Sequence, residues 1–418
     1  MSPRVELAVA FRTLGCKVNR VESESIAAEL LGRGARVVEE CDADVVVINT
    51  CTVTSEADAK ARKAVRHSLR LAQEPVVVVT GCLAALDAPA LEALGQRVVV
   101  EADKAQVAAR VAQVRRASSL PAAPRVVRRG EAFRTRVSLK IEDGCDNFCS
   151  FCIVPYARGV PRGEALSGVV AEAGALVEAG VREIVLTGIN LGRYRDSATG
   201  ADLADLICGV AATGIARLRL SSIEPPDLTP RLLAVLADTP AACRQLHIPL
   251  QSGSDAVLSA MGRAYTAAEY RALVTAARDA LPGLTLTTDV IAGFPTETAE
   301  HHAQTLGFIE SIGFSKLHVF RYSERPGTPA AAMPQLAPQV RAARAAALRE
   351  RGERDRRMFL ASHLGTEVEV LVETLENDIA TGTTRDYVRV ALPGTGLARG
   401  DMVSVTVDAV EEGRLVAR

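Results

Sequence analysis

Short apolar strands alternate with helical segments along most of this 418-residue chain, and that alternation limits the possible folds more than any other feature. Three strand–helix units fill the N-terminal part, and six more begin at residue 137. Continuous apolar strands between helices are typical of parallel sheets, because crossover helices cover both sheet faces. We therefore predict an α/β protein with an N-terminal parallel α/β sheet domain and a central, partial (β/α)6 barrel.

The pattern changes after residue 361, where short alternating strands are punctuated by glycines. This favours a small antiparallel β-barrel. The predicted division is a domain at 1–115, a linker at 116–136, a domain at 137–360 and a domain at 361–418. The linker is rich in arginine and contains proline and serine. It is equally consistent with a solvated connector and with contact to RNA phosphates.

Three cysteines follow the first predicted barrel strand, with the spacing C-x3-C-x2-C: Cys145, Cys149 and Cys152. Three thiolates are one short of the four ligands of a structural zinc ion or an ordinary cubane cluster. On a [4Fe-4S] cluster they leave one iron open to a substrate or cofactor. The alternatives are an incomplete zinc knuckle and three buried cysteines without a metal.

Three further cysteines, Cys16, Cys51 and Cys82, each follow a predicted strand of the N-terminal domain. Parallel strands bring their carboxyl ends to one edge of the sheet, where such folds bind ligands. We therefore predict a second three-cysteine site there. The alternative is that each is a small buried residue at the end of a strand.

The predicted barrel strands also end in polar residues and glycines. Chemistry in barrels of this type occurs at the carboxyl ends of the strands. A glycine there lets the backbone approach a ligand closely. The candidates at this rim are Gly188, Asn190, Glu224, Gln251, Ile291 and Gly293.

Composition limits the class of protein. Net charge is −1 and 24% of residues are charged, which is typical of a globular protein. No apolar run approaches the length of a membrane span. Nine cysteines without a recognisable secretory signal favour a reducing compartment, and we expect a cytoplasmic location.

The C-terminal part is acidic, with ten Asp and Glu against five Arg from residue 363 onward. An RNA-binding domain is expected to present a basic face. Arg385, Tyr387 and Arg389 are candidates for a local RNA contact, with Tyr387 as a stacking surface.

With these residues in view, the chain resembles the methylthiotransferases of the radical S-adenosylmethionine (SAM) superfamily over essentially its full length. The domain order of that family is an N-terminal methylthiotransferase domain, a radical SAM barrel and a TRAM domain. The Thr-Leu-Gly-Cys16-Lys-Val-Asn motif is similar to the MtaB branch. The MiaB branch usually has Gln-Met after this cysteine, and the RimO branch has Pro-Lys.

The resemblance implies two [4Fe-4S] clusters and SAM as cofactors. It places the SAM-binding cluster on Cys145, Cys149 and Cys152, and an auxiliary cluster on Cys16, Cys51 and Cys82. Phe151 would lie near the adenine of SAM. The rim candidates would line the SAM site.

The resemblance also implies a reaction. SAM is cleaved to a 5′-deoxyadenosyl radical, and a methylthio group is transferred to C2 of N6-threonylcarbamoyladenosine at position 37 of tRNA. The partners would be tRNA and an electron donor such as flavodoxin or ferredoxin. The alternatives are a MiaB-like reaction on another tRNA adenosine, a RimO-like reaction on a ribosomal-protein aspartate, and a non-enzymatic, zinc-dependent RNA-binding protein.

Overall fold

The computed structural model describes residues 7–114 and 135–418. The N-terminal part alternates strands and helices. Its elements are β1 (Ala8–Thr13), α1 (Lys17–Gly32), β2 (Arg36–Val37), β3 (Val45–Thr50), α2 (Ser55–Ser68), β4 (Val76–Gly81), α3 (Cys82–Leu86), α4 (Ala88–Glu92), β5 (Val98–Val100) and α5 (Val107–Val114).

These strands form one parallel sheet in the order β2-β1-β3-β4-β5. Alternate side chains of β3 enter two different cores. Val46 and Ile48 pack with helices α2 and α4, and Val45 and Val47 pack with α1 and α5. Burial on both faces explains why the central strands are continuous apolar runs.

The central part again alternates strands and helices. Its elements are β6 (Arg136–Lys140), β7 (Glu142–Asp143), α6 (Val154–Arg158), β8 (Arg162–Gly163), α7 (Leu166–Glu178), β9 (Glu183–Thr187), α8 (Leu203–Ala211), β10 (Arg217–Leu220), α9 (Pro230–Asp238), β11 (Gln245–His247), α10 (Asp255–Ala260), α11 (Ala267–Ala280), β12 (Thr285–Ala292), α12 (Ala299–Ile312), β13 (Lys316–Arg321) and α13 (Pro338–Ala361).

Six of these strands are parallel, in two groups of three, β6-β9-β10 and β11-β12-β13. Isolated parallel bridges from Leu218 to Ala242 and from Ser222 to His247 join the groups at β10 and β11. No pairing joins β6 to β13 among the described residues. The prediction of an α/β fold with a six-stranded partial barrel is confirmed.

The C-terminal part is a single sheet. Its strands are β14 (Glu367–Glu376), β15 (Ile379–Thr384), β16 (Arg389–Pro393), β17 (Met402–Thr406), β18 (Ala409–Glu411) and β19 (Arg414–Val416). The order is β17-β14-β15-β16-β19-β18, and its pairs are antiparallel except for β16 with β19, which is parallel. The sheet is therefore mixed rather than wholly antiparallel, because the final hairpin places β19 along the edge of β16.

Arg136 lies in the stretch predicted to be a linker, but it is the first residue of β6. Its guanidinium pairs with Glu373 of β14 at 2.6 Å. Residues 115–134, and with them the other linker arginines, lie outside the described residues. Within the described chain, none of the helices has both the length and the apolar character needed to span a bilayer.

Two fully buried arginines of β10 hold the C-terminal sheet against the barrel. Arg217 donates to the carbonyl oxygens of Thr383 (2.8 Å) and Glu369 (2.7 Å). Arg219 donates to Glu183 at 2.8 Å, and Glu183 is itself fully buried. A buried charge is tolerated only where its partners are in place, so this contact requires both sheets.

We expect Arg217→Ala to lower the free energy of unfolding by about 3–5 kcal/mol, because it removes the hydrogen bonds to the buried carbonyls of Thr383 and Glu369 and the ion pair with the Glu369 carboxylate. Urea unfolding followed by circular dichroism measures this change. The matched control is Arg231→Ala, which removes an exposed arginine paired with Asp205 and should leave stability nearly unchanged. Equal effects of the two substitutions would contradict the role given to Arg217.

Candidate active site

Cys16, Cys51 and Cys82, here the N-terminal cysteine set, lie at one edge of the N-terminal sheet. They come just after β1, β3 and β4, which are neighbours in the sheet. Cys51 and Cys82 are buried, and Cys16 is exposed. Burial raises the pKa of the Cys51 thiol. The Cys16 thiol donates to Oδ1 of Asn19 at 3.6 Å, and the same oxygen accepts from Arg158, which also donates to the sulfur of Cys82. The structure thus brings these distant cysteines together.

The loops around this set are closely packed. Gly15 has a φ of +96°, and a Cβ added there would lie 2.9 Å from the sulfur of Cys51. The amide of buried Asn19 donates to the carbonyl oxygens of Leu14 (2.8 Å) and Thr50 (2.9 Å). Asn19 therefore ties the loop after β1 to the end of β3.

Cys145, Cys149 and Cys152, here the loop cysteine set, follow the short strand β7. Gly144 has a φ of +98°, and a Cβ there would lie 2.1 Å from the carbonyl oxygen of Val160. Glycine is therefore required at the entry to the loop.

Ser150 anchors the middle of this loop to helix α10 and to the segment before α13. Its amide donates to the carbonyl of Met261 (2.9 Å) and its hydroxyl to that of Ala260 (2.8 Å). The amide of Ala330 donates to the carbonyl of Ser150 at 2.8 Å. Three hydrogen bonds thus fix the cysteine loop against the barrel.

The thiols of the loop set lie in a poorly solvated environment. Burial raises the pKa of Cys145 to about 11 and that of Cys152 to about 12. Arg263 donates to the sulfur of Cys149 at 3.1 Å, and the amide of Asn190 to that of Cys145 at 3.7 Å. Buried thiolates need further positive charge, which bound iron supplies, so this environment fits an iron–sulfur cluster.

Among residues 7–114 and 135–418, no three or more Cys, His, Asp or Glu side chains form a group that could hold a metal ion. A cubane cluster makes a different demand, because each cysteine binds a different iron atom and the sulfurs need not meet around one ion.

A buried carboxylate underlies the rim after β9. Glu142 accepts hydrogen bonds from the amides of Ile189 (2.9 Å) and Asn190 (2.8 Å). A Cβ added at Gly188 would lie 2.7 Å from Oε2 of Glu142, so the glycine leaves the space that this carboxylate occupies. Burial raises the pKa of Glu142 to about 7.

Two buried oxygens at this rim accept no hydrogen bond from the described part of the chain. They are Oε1 of Glu142 and Oδ1 of Asn190. Buried acceptors normally have a donor. A bound molecule with an amino group, such as SAM, would supply one, so these residues fit such a ligand.

Phe151 and Ile291 contribute to an apolar cluster next to the cysteine loop. Both are partly buried and pack against a core that includes Val257, Met261 and Phe294. The cluster thus forms an apolar wall beside the loop cysteine set.

Gln251 has a φ of +63° and its backbone bonds to Asp289 and Ile291 of β12. Its place at the barrel rim is therefore set by main-chain pairing. Gly293, by contrast, faces helix α13, where an added Cβ would lie 2.6 Å from the Arg341 side chain.

Glu224 pairs with Arg263, the same arginine that donates to Cys149. The carboxylate therefore orients a cation at the loop cysteine set.

Arg158 connects the two cysteine sets. It ends helix α6, which begins two residues after Cys152, and it is buried. Its Nε donates to the sulfur of Cys82 at 3.2 Å, and its other nitrogens donate to Glu22 (3.0 Å) and Asn19 (2.6 Å). Burial raises the pKa of the Cys82 thiol, and the charge of Arg158 opposes that shift.

A second arginine joins the same two parts of the chain. Arg325, which follows β13, donates to Thr52 at 2.8 Å and to Asp58 at 2.6 Å. Thr52 directly follows Cys51 in the sequence. A cleft of about 340 Å³ lies beside Cys82 and Arg158. This cleft therefore lies between the N-terminal cysteine set and helix α6, which follows the loop cysteine set.

The three candidates for RNA contact differ in their surroundings. Arg385 donates to the carbonyl of Pro240, in the contact with the barrel. Tyr387 is 38% exposed, and its ring faces the cations of Lys17 and Arg136. Arg389 is exposed on β16.

Glu142, Arg158 and Arg263 were not predicted from the sequence to belong to the site. Glu142 stands three residues before Cys145 and could have been found from that position. Arg158 and Arg263 gave no signal, because their partners come from distant segments.

Two family models match the chain. Residues 8–101 match an uncharacterised protein family, UPF0004, and residues 139–309 match the radical SAM superfamily. The solved structures that resemble the chain include a radical SAM methyltransferase, TsrM of Kitasatospora setae. Its TM-score is 0.55 at 16% identity, and the alignment covers 78% of this chain and 77% of that one. This likeness supports the fold alone.

Curated relatives match nearly the whole length. The threonylcarbamoyladenosine tRNA methylthiotransferase MtaB of Bacillus subtilis is 37% identical, over 96% of this chain and 93% of the relative. The protein of the same name from Thermotoga maritima is 32% identical, over 98% and 96%. The tRNA-2-methylthio-N(6)-dimethylallyladenosine synthase of Sorangium cellulosum is 37% identical, over 88% and 82%. The chain therefore belongs to the radical SAM tRNA methylthiotransferase family.

Proposed function

We propose that this chain transfers a methylthio group to C2 of the adenine of N6-threonylcarbamoyladenosine at position 37 of tRNA. The full-length similarity to proteins named as methylthiotransferases of this nucleoside carries the proposal. The two cysteine sets, joined through Arg158, support it, because the reaction needs two open clusters near each other.

Enzymes of this family use SAM and carry two [4Fe-4S] clusters. The loop cysteine set would hold the SAM-binding cluster, and the N-terminal cysteine set would hold the auxiliary cluster. When bound, the first supplies the electron that cleaves SAM and the second supplies the sulfur. The chain itself orients these groups and limits the access of water.

Arg158 and Arg263 would each stabilise a thiolate by a charge-assisted hydrogen bond, to Cys82 and Cys149 respectively. Glu142 holds the backbone that presents Asn190. Phe151 and Ile291 offer an apolar wall to the adenine of SAM, and Asn190 offers a free acceptor.

The remaining SAM candidates have less support. Gln251 could contribute through its backbone, and Glu224 through Arg263. Gly188 and Gly293 make room for Glu142 and Arg341, respectively, so their part in a SAM site would be indirect.

Each of the three regions would have a separate role. Residues 1–115 would carry the auxiliary cluster, residues 137–360 would cleave SAM, and residues 361–418 would contact tRNA, with 116–136 as the connector. The electron donor would be a flavodoxin or ferredoxin, and the location cytoplasmic. Tyr387 and Arg389 keep exposed surface for RNA, whereas the guanidinium of Arg385 is engaged with Pro240 and Glu369.

A second candidate is methylthiolation of a dimethylallyl-modified tRNA adenosine. It is favoured by the similarity to the Sorangium cellulosum synthase. The two candidates differ in the substrate nucleoside and share the same cofactors.

Mass spectrometry of tRNA nucleosides from a deletion strain tests the proposal. We expect the methylthio derivative of threonylcarbamoyladenosine to disappear and to return when the gene is supplied. Loss of the dimethylallyl derivative instead would select the second candidate. An unchanged nucleoside profile would refute both.

The cysteine assignment predicts separable defects. Replacing the N-terminal cysteine set by alanine should reduce iron from about eight to about four atoms per chain. It should leave SAM cleavage intact and abolish methylthiolation. The matched replacement of the loop cysteine set should abolish SAM cleavage. Unchanged product formation in either variant would contradict the assignment.

Arg158→Lys should shift the reduction potential of the auxiliary cluster to more negative values, because the hydrogen bond to the Cys82 sulfur is lost or weakened. Redox titration followed by electron paramagnetic resonance measures this shift. The SAM-binding cluster serves as an internal control and should keep its potential. Equal shifts of both clusters would indicate a general structural effect instead.

A further inference from the structure

Three neighbouring strands present a row of polar side chains on one face of the barrel. The register pairs Thr287 with Lys316 and Asp289 with His318. On β13, Leu317 and Val319 pack against the core, whereas Lys316 and His318 are exposed on the opposite face. The row therefore faces away from the packed core.

His247 of β11 completes this row. Its ring nitrogens lie 3.0 Å from Thr287 and 3.2 Å from Asp289, and its ring centre lies 5.6 Å from that of His318. The carboxylate of Asp289 is thus already engaged by a histidine.

Lys17 approaches this row from the N-terminal sheet. It directly follows Cys16, and its Nζ lies 5.5 Å from the ring centre of Tyr387. Arg219 lies 4.8 Å from the centre of the same ring and donates to Gln245 at 3.2 Å. The Gln245 amide donates to Thr287, the register partner of Lys316, at 3.3 Å. Positive groups from separate elements therefore converge here. We call Lys17 and Lys316 the cationic pocket.

The lysines of this pocket lack carboxylate partners. Other cations nearby are paired, Arg136 with Glu373 and Arg219 with Glu183. In the part of the chain that the structure describes, neither Lys17 nor Lys316 forms an ion pair. Lys17 is also the first residue of α1, where the helix dipole already favours an anion. Such a site is suited to a negatively charged ligand.

An aromatic side chain continues the row. Phe320 is 45% exposed and lies two residues beyond His318, so it shares the same face of β13. It pairs with Ile291 in the register. Alternate residues of a strand are about 7 Å apart. The row therefore offers an apolar surface for a base and, next to it, positive charge for an anionic substituent.

We propose that the cationic pocket binds the carboxylate of the threonylcarbamoyl group of the target nucleoside. This inference rests on the proposed function and adds the basis of substrate choice. The carboxylate accepts hydrogen bonds from Lys17 and Lys316, and the adenine rests against Phe320. A dimethylallyl substituent carries no charge and gains nothing from these lysines.

The test uses two anticodon stem-loops, one with the natural threonylcarbamoyl carboxylate and one with a carboxamide in its place. The holoenzyme should bind and methylthiolate the acid about tenfold to a hundredfold better than the amide, as expected for a charge-assisted hydrogen bond. Fluorescence anisotropy measures the binding of each stem-loop, and mass spectrometry measures its modification.

The variants Lys17→Gln and Lys316→Gln should lower this acid-to-amide ratio, and together they should bring it near one while the amide reaction is unchanged. The matched control is Lys60→Gln, an exposed lysine paired with Glu56 on α2, which should keep the ratio. Iron content and SAM cleavage verify that each variant is loaded.

Two results would overturn this inference alone. One is equal use of acid and amide by the unmodified enzyme, and the other is an equal loss on both stem-loops in the lysine variants. Failure of the unmodified enzyme to methylthiolate the acid stem-loop at all would instead refute the proposed function, and this inference with it.

Discussion

The burial of the Arg158 guanidinium between the N-terminal sheet and the cysteine loop is the interaction on which the site depends. A buried charge is strongly unfavourable unless its donors are all paired. Arg158 meets this condition through Glu22 and Asn19 on α1, Asp143 on β7 and the sulfur of Cys82. Because those partners come from two different parts of the chain, all of them are in place only when the N-terminal sheet is docked on the segment that carries the cysteine loop.

Parallel strands then determine which residues can meet. The N-terminal cysteines are far apart in sequence, yet β1, β3 and β4 are adjacent and end at the same edge. Such an edge gathers side chains without a continuous motif. The loop cysteines are brought together differently. One short segment carries all three, and hydrogen bonds at Ser150 fix that segment to the barrel.

The sequence was sufficient to predict the strands that are buried on both faces, such as Val45–Thr50 and Val76–Gly81, because their apolar runs leave few alternatives. It was insufficient for β15, Ile379–Thr384, which lacks regular apolar alternation. There Gly382 packs so closely on β14 that an added Cβ would lie 2.3 Å from the carbonyl oxygen of Leu371. The pairing of β19 with β16 was also missed, since it depends on where the last hairpin returns.

Some residues of the candidate site could be predicted from the sequence and others could not. The cysteines could be proposed from spacing and position, because strand ends and local motifs are visible in one sequence. Arg158 and Arg263 could not be proposed in this way, since the cysteine that each one contacts is more than sixty residues away in the chain. Lys17 is an intermediate case. It stands beside a recognised cysteine, but its proximity to Tyr387 depends on how the C-terminal sheet docks on the N-terminal part.

The two buried arginines also bear on how each set of cysteines is accommodated in poorly solvated surroundings. Each cysteine set has one guanidinium on a sulfur, at 3.2 Å from Cys82 and 3.1 Å from Cys149. A guanidinium keeps its charge at any physiological pH. Thiolates that lie close together in a poorly solvated space repel one another, and this repulsion grows as the local dielectric falls. A fixed positive charge at each set offsets part of that repulsion, so each set of cysteines depends on one arginine from a distant segment.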